Sequence, residues 1–219
     1  MITMGCGQFL ATAWHALPAV FLSRAAFRSW MAKKSKGAHD VLLRTFEKAV
    51  ATNFLGSVYT KFFEKMTLEE FAMVDIQPQH RVLHIGCGGV PNTLLILGNH
   101  VDASYTGIDR DRAAVSRARA MVERQGLTRR VTIEQGDALT YPLADFDLIV
   151  VSLGVEPRER VFARIREEAP GAAVIARKPW DFMDRIYGRD AFIPRGFEVV
   201  DVFHRQDFIK SMLLKKTGG

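Results

Sequence analysis

The segment Arg81–Thr93 constrains the fold of this chain most strongly, because it has the pattern of a buried strand running through a glycine turn into a helix. Gly86 and Gly88 let the backbone turn sharply and approach a ligand closely. The helix that follows presents unpaired backbone N–H groups at its start. Pro91 stands where a dinucleotide-binding loop would place its last glycine, which argues against that loop type. The segment therefore predicts a nucleotide-like ligand held by a different glycine turn.

From this segment onwards, strand-like apolar runs alternate with helical patterns, which is typical of a parallel sheet with crossover helices. No helix separates the final two strands, and this predicts an antiparallel hairpin at the end of the sheet. The predicted strands are Val82–Ile85, Ser104–Ile108, Val131–Gln135, Asp147–Ser152, Ala172–Arg177, Phe197–Phe203 and Ile209–Leu214. The predicted helices between them are Asn92–Leu97, Arg112–Gln125 and Glu159–Glu168.

Residues 8–74 have a helical pattern, most clearly in Val41–Phe54 and Tyr59–Val74, where apolar residues recur at spacings of three and four. Pro78 marks a boundary after them. We therefore expect a helical N-terminal cap over residues 1–78 and an α/β domain over residues 79–219. The mostly parallel sheet with its C-terminal antiparallel hairpin resembles the Rossmann-like sheet of the class I methyltransferases.

Composition narrows the setting of the chain. Thirty basic and 24 acidic residues give a net charge of +6, which fits a soluble protein and leaves anionic partners open. Two cysteines cannot form a disulfide framework, and the apolar segment Phe9–Leu22 is too short to span a bilayer. We expect a cytoplasmic protein without membrane association, in which an exposed apolar N-terminal helix would pair two chains as a homodimer. No metal site is predicted.

Two aspartates follow predicted strands at the edge where ligands bind in such sheets. Asp109 is placed to accept both hydroxyls of a ribose, although an aspartate there can also cap the helix that begins near Asp111. Asp137 is placed to accept from an adenine amino group, although alone it is also a common turn residue. With the glycine turn, they resemble the S-adenosylmethionine (SAM) site of class I methyltransferases. The predicted SAM-binding residues are Gly86, Cys87, Gly88, Pro91, Asp109, Arg110, Gly136, Asp137, Ala138 and Ser152.

The loop also resembles a more specific pattern, the Gly-x-Gly-Pro-Leu-Pro-x-Thr loop of the nicotianamine synthase family. Gly86, Gly88, Pro91 and Thr93 match it, and Gly89 replaces its first proline. The segment Gly196–His204, followed by Asp207, Ile209 and Ser211, is similar to that family's Gly-Phe-Glu-Val-x-x-Val-Phe-His tail. A weaker likeness lies in the helix before the sheet, at Tyr59, Lys65, Glu70 and Phe71.

The resemblance implies chemistry at Cγ of SAM, where an amine displaces methylthioadenosine and acquires a 3-amino-3-carboxypropyl group. The amine can belong to an amino-acid acceptor. It can also be SAM's own α-amine, which closes azetidine-2-carboxylate, as in SAM cyclases that resemble the same family. Both reactions need an amine that has lost its proton, held in a water-poor pocket. A small-molecule substrate is therefore expected, with SAM consumed as a substrate.

Four residues are candidates for the catalytic work. Tyr59 is placed to hydrogen-bond or deprotonate the amine, and Glu70 to orient it, although a core tyrosine and a surface glutamate are equally ordinary interpretations. Glu156 follows the fourth strand at the ligand edge. Arg177 matches a family arginine and is expected to hold a carboxylate bidentately, or to be a sheet-edge arginine paired with a surface acid. His84 is expected to serve packing.

Three other functions remain open. A SAM-dependent methyltransferase would use the same cofactor residues with a different presentation of the sulfonium. A SAM-binding subunit without turnover would also fit. A nucleic-acid-binding module would use the basic residues between Arg24 and Lys36, but no interleaved aromatic pattern accompanies them, and we expect no nucleic-acid partner.

Overall fold

The computed structural model describes residues 54–179, 193–207 and 209–217, with the backbone alone for residues 54–62. The helices are α1 (Phe54–Phe71), α2 (Asn92–His100), α3 (Arg112–Arg124) and α4 (Arg158–Glu168). The strands are β1 (Arg81–Ile85), β2 (Ser104–Asp109), β3 (Val131–Gln135), β4 (Leu148–Val151), β5 (Ala173–Pro179), β6 (Phe197–His204) and β7 (Ile209–Lys216). The predicted helix Val41–Phe54 and segment Phe9–Leu22 lie outside the described residues, save for Phe54 itself.

The seven strands form one sheet in the order β3-β2-β1-β4-β5-β7-β6. The first five run parallel, and β7 pairs antiparallel with both β5 and β6. The order reverses direction at β1, so the crevice between the ends of β1 and β4 is where such sheets bind ligands. The predicted α/β fold, mostly parallel with a C-terminal antiparallel hairpin, is confirmed.

Apolar layers cover both faces of the sheet because successive strand residues point to opposite sides. Val82, Val150 and Ile175 pack with apolar side chains of α1, α2 and α3 on one face. Leu83 and Ile149 pack with the apolar stripe of α4 on the other. Strand β4 is buried at every position, as expected for a central parallel strand.

Helix α1 differs from its predicted bounds Tyr59–Val74 at both ends. It begins at Phe54 and ends at Phe71, because the backbone N–H groups of Met73 and Val74 bond to carbonyls three residues back, at 3.5 and 3.0 Å. These bonds tighten the last turn and stop the helix. In the described part of the chain, no helix combines the length and the apolar character needed to cross a membrane.

Candidate active site

A cavity of about 430 Å³ opens at the carboxyl ends of the parallel strands. Its walls come from the glycine turn after β1, from the ends of β2, β3 and β4, and from the turn between β6 and β7. Every predicted SAM-binding residue lines it except Pro91. Pro91 is buried at the start of α2, where its carbonyl accepts the N–H of Leu95 at 3.0 Å.

The glycine turn has the backbone that its sequence predicts. Gly86 and Gly88 have φ of 74° and 70°, the left-handed region that favours glycine. A Cβ on Gly86 would lie 2.9 Å from Cγ2 of Val155, so the position also lacks room for a side chain. The N–H of Gly86 donates to the carbonyl of Ile108 at 2.8 Å, which ties the turn to β2. The turn is therefore rigidly placed under the cavity.

Asp109 holds this turn from the end of β2. Its Oδ2 accepts the N–H of Gly88 at 3.0 Å, and its Oδ1 accepts the N–H of Asp111 at 2.9 Å. The N-cap of α3 is Asp111 itself, whose Oδ1 accepts from Ala113 at 2.9 Å. Asp109 is therefore not the helix cap. Its carboxylate faces the cavity with the remaining lone pairs of two anchored oxygens.

Asp137 closes the turn after β3 in the same way. Its Oδ1 accepts the N–H of Leu139 at 2.9 Å, which is the turn interaction expected of an aspartate. Gly136 precedes it, and a Cβ there would lie 2.9 Å from the ring of Tyr141. The Asp137 carboxylate is thus anchored at the cavity wall by a hydrogen bond from the main chain.

A row of polar side chains crosses the sheet on the face that α1 covers. His84 in β1, Ser152 after β4, Arg177 in β5 and Ser211 in β7 continue the same side of the sheet as Val82, Val150 and Ile175. Polar groups in such a place need partners. Glu70 of α1 supplies the central one.

Glu70 is fully buried and accepts hydrogen bonds from three side chains. The Nε and Nη2 of Arg177 donate to its two oxygens, each at 2.8 Å. Nη1 of Arg205 donates to its Oε2, and the hydroxyl of Ser211 donates to its Oε1 at 2.5 Å. Arg177 also donates to Thr93 at 2.9 Å, and Arg205 donates to Asp207 at 2.7 Å. We call these six residues the Glu70 network.

The charges of the network balance, with two arginines facing two carboxylates. Burial alone would raise the pKa of Glu70, but the positive charges of Arg177 and Arg205 lower it well below its ordinary value. Glu70 therefore stays ionised. Glu70 is therefore not a surface glutamate. Its carboxylate contacts Arg177 and Arg205, which line the cavity, and its role in orienting the amine stays a prediction.

Arg177 lines the cavity, but its geometry differs from the expected bidentate hold on a ligand carboxylate. Its Nε and Nη2 are already committed to Glu70 and Thr93. Among the described hydrogen bonds, Nη1 is the nitrogen left over. Arg177 is therefore placed to present the two N–H donors of Nη1 to a ligand. The acid that it pairs with is the buried Glu70 and not a surface acid.

The remaining catalytic candidates are Glu156 and Tyr59. Glu156 is exposed at the cavity rim, and its Oε2 accepts the N–H of Arg158 at 3.2 Å at the start of α4. Tyr59 lies in α1, and its side chain belongs to the part of the helix described by backbone only. Cys87 is buried, and its Sγ donates to the backbone carbonyl of Gly88 at 3.7 Å. Across the described ranges, no cluster of three His, Cys, Asp or Glu side chains is arranged to hold a metal ion.

Two further arginines shape the site without having been predicted. Arg205 bridges Glu70 and Asp207. Arg158 donates to the backbone carbonyls of Ser152 at 3.5 Å and Arg177 at 3.1 Å, so it fixes the ends of β4 and β5 from the α4 side. Burial lowers the pKa of Arg158 to about 10, which leaves it charged at neutral pH. Of these two arginines, only Arg205 had a sequence signal that could have found it, because it directly follows the Gly196–His204 tail.

Comparison with known proteins supports this reading of the fold. Residues 82–168 match a family model described as a methyltransferase domain. The methyltransferase GfsG of Streptomyces halstedii is 34% identical over 88 residues, which are 39% of this chain. The matched part spans only 31% of GfsG.

Among solved structures, a mutant of MtNAS in complex with S-adenosylmethionine aligns with a TM-score of 0.69 and 21% identity, over 87% of this chain and 78% of that one. MtNAS in complex with MTA and tNA aligns with a TM-score of 0.68 and 20% identity, over 87% and 76%. At such identities the likeness establishes the fold. The chain therefore has the Rossmann-like fold of the class I SAM-dependent methyltransferases.

Proposed function

We propose that this chain binds SAM in the cavity and consumes it by attack of an amine on Cγ, with release of methylthioadenosine. One observation carries the proposal. The four segments that resemble the nicotianamine synthase family meet in the Glu70 network: the loop through Thr93, the helix through Glu70, β5 through Arg177, and the tail through Asp207 and Ser211. Segments that are far apart in the sequence thus build one side of one cavity.

The proposed orientation of SAM follows from the cavity walls. Asp109 and Asp137 lie at the ends of β2 and β3, where an adenosine would find acceptors for its ribose hydroxyls and its amino group. The sulfonium arm then crosses the glycine turn towards β4 and β5. It meets Ser152 and the free side of Arg177 there. A mutant of the structurally similar MtNAS was solved in complex with S-adenosylmethionine, which supports a SAM site in this fold.

The reaction balances without a redox partner. The amine nitrogen forms a bond to Cγ, the Cγ–S bond breaks, and its electron pair moves to sulfur, which turns the sulfonium into the neutral thioether of methylthioadenosine. The ammonium proton is lost before the attack. The protein's part is to hold the nitrogen in line with the C–S bond at roughly 3–3.5 Å and to exclude water.

Two nucleophiles fit this proposal. With SAM's own α-amine the product is azetidine-2-carboxylate, and with an amino-acid amine it is an aminocarboxypropyl adduct. The complex of MtNAS with MTA and tNA is consistent with the second kind of chemistry in a similar fold. The product mixture distinguishes them.

Methyl transfer to a small molecule is the second candidate. The methyltransferase-domain match over residues 82–168 and the likeness to GfsG favour it. The methyltransferase-domain match, however, lies outside α1 and the β6–β7 hairpin, which supply Glu70, Arg205 and Ser211. The part of the chain that distinguishes the two candidates therefore speaks for Cγ chemistry.

The test is to incubate the purified protein with SAM alone, and then with SAM and a mixture of amino acids, and to identify the products by mass spectrometry. Methylthioadenosine with azetidine-2-carboxylate is expected for cyclisation, and methylthioadenosine that requires an amino acid is expected for transfer. S-adenosylhomocysteine as the nucleoside product would refute the Cγ proposal.

Two glycine variants provide matched controls for this assay. Gly86→Ala and Gly126→Ala place a methyl group on backbones with similar φ, 74° and 68°, but a Cβ at Gly126 meets no atom within 4 Å. Gly86→Ala should abolish SAM consumption, because the turn must shift under the ligand. Gly126→Ala should retain it.

A further inference from the structure

His84 is a polar residue in an otherwise apolar strand interior. It is only 3% exposed, and the adjacent β1 residues Leu83 and Ile85 are buried and apolar. Its Nδ1 is buried without a hydrogen-bond partner in the described structure. A leucine at this position would avoid the cost of an unpaired buried nitrogen. Packing alone therefore does not account for a histidine here.

The other ring nitrogen has a definite partner at the cavity. Nε2 of His84 lies 2.8 Å from the hydroxyl oxygen of Ser152. The backbone of Ser152 is held as well, since its N–H donates to the carbonyl of Ile85 at 3.1 Å and its carbonyl accepts from Arg158. The hydroxyl is thus fixed from both its side chain and its main chain.

The Ser152 hydroxyl lies next to the glycine turn that would carry the sulfonium arm. A Cβ placed on Gly86 would be 3.3 Å from Cβ of Ser152 and 3.9 Å from its Oγ. Both His84 and Ser152 line the cavity. A ligand arm that crosses Gly86 therefore passes within hydrogen-bonding reach of this oxygen.

On the basis of the proposed function, we propose that His84 is a positioning residue that fixes the Ser152 hydroxyl as the acceptor for the α-amino group of the SAM arm. Ser152 donates its own hydrogen to Nε2 of His84, and its oxygen lone pairs face the ligand. In cyclisation this contact would orient the nucleophile, and in transfer it would anchor the arm while an external amine attacks.

His84 acts in this pair as a neutral group. Burial, together with the positive charges of Arg177 and Arg205 on the same face, lowers the pKa of His84 to about 3 and outweighs the opposing effect of Glu70. An imidazolium beside two guanidinium groups would be costly. The proton of the reacting amine therefore does not end on His84.

The experiment compares two unreactive ligands by calorimetry. S-adenosylhomocysteine carries the amino-acid arm without the sulfonium, and methylthioadenosine lacks the arm. Ser152→Ala and His84→Leu should each weaken the binding of S-adenosylhomocysteine by about 3- to 10-fold, the size expected for one hydrogen bond. The affinity for methylthioadenosine should change by less than about twofold. His84→Gln, whose amide can replace Nε2, should bind both nearly as the wild type does.

Turnover provides a second readout. The pH profile of kcat should keep its shape in His84→Gln, because no proton passes through this side chain. Loss of an ionisation between about pH 6 and 8 in that variant would make His84 the proton acceptor and overturn the proposal. Equal weakening of both ligands would overturn it as well, since that is the result of a packing role.

Failure of the proposed function gives a different pattern. If the wild type binds neither ligand, the SAM site itself is wrong. If it binds both but releases S-adenosylhomocysteine from SAM, the Cγ chemistry is wrong, and the ratio of the two affinities still decides the role of His84.

Discussion

The buried imidazole of His84, which lines the cavity, makes the free energy of unfolding depend on pH in the acid range. The pKa of His84 falls from 6.5 to about 3 on folding, so between these values the unfolded chain binds a proton that the native state does not. The free energy of unfolding must then decrease as the pH falls through this window. The expected slope is about 1.4 kcal/mol per pH unit from His84 alone.

The measurement is urea unfolding of the wild type and His84→Gln at several pH values between 5 and 8. The difference between the two should be constant above about pH 6.5 and should shift in favour of the variant below it. Glu70 does not interfere, because its lowered pKa means that its contribution is lost only below its ordinary value of 4.5. A difference that stays flat down to pH 5 would show that His84 is charged in the folded protein.

The Glu70 network joins helix α1 to the sheet. Removal of the Glu70 carboxylate should therefore lower the free energy of unfolding strongly. Glu70→Ala leaves Arg177 and Arg205 buried without that partner, and breaking such a buried pair costs about 3–5 kcal/mol. Glu69→Ala is the matched control, since Glu69 is half exposed and its ion pair among the described residues is with Lys65, at 3.7 Å. Its effect should stay below about 1 kcal/mol.

Urea midpoints of the two variants measure this difference, and hydrogen exchange of α1 locates it. The helix should exchange faster than the sheet in Glu70→Ala and remain protected in Glu69→Ala. Similar midpoints for both variants would mean that the network holds the helix no better than a surface ion pair does.

The elements themselves were largely readable from the sequence. Apolar runs such as β4 and the glycine turn at Gly86 have local signals, and the predicted bounds of the sheet strands differ from the observed ones by at most two residues. The burial of Glu70 could not be predicted from the sequence, because it depends on Arg177 and Arg205, which lie 107 and 135 residues away. Long arginine side chains reach from one element to another, and no local sequence pattern predicts which acid they will contact.

For the whole molecule, ligand binding should appear as added stability. A ligand that binds only the native state adds about 2.7 kcal/mol at one hundred times its dissociation constant, and each kcal/mol raises Tm by about 2–4 °C for a protein of this size. Methylthioadenosine and S-adenosylhomocysteine should both raise Tm in a dose-dependent way in Gly126→Ala, and neither should do so in Gly86→Ala. Equal shifts in the two variants would place the ligand away from the glycine turn.

The order of the strands in the sheet also fixes when the cavity can exist during synthesis. Strand β7 lies inside the sheet between β5 and β6, and it carries Ser211 to a carboxylate that was made 141 residues earlier. When α1 and the parallel strands have been synthesised, the ligand edge of the sheet therefore still lacks Arg205 and Ser211. Until the hairpin is made, Glu70 has only the two hydrogen bonds from Arg177 out of the four that it accepts in the described structure, so a nascent or truncated chain has an unfinished ligand edge.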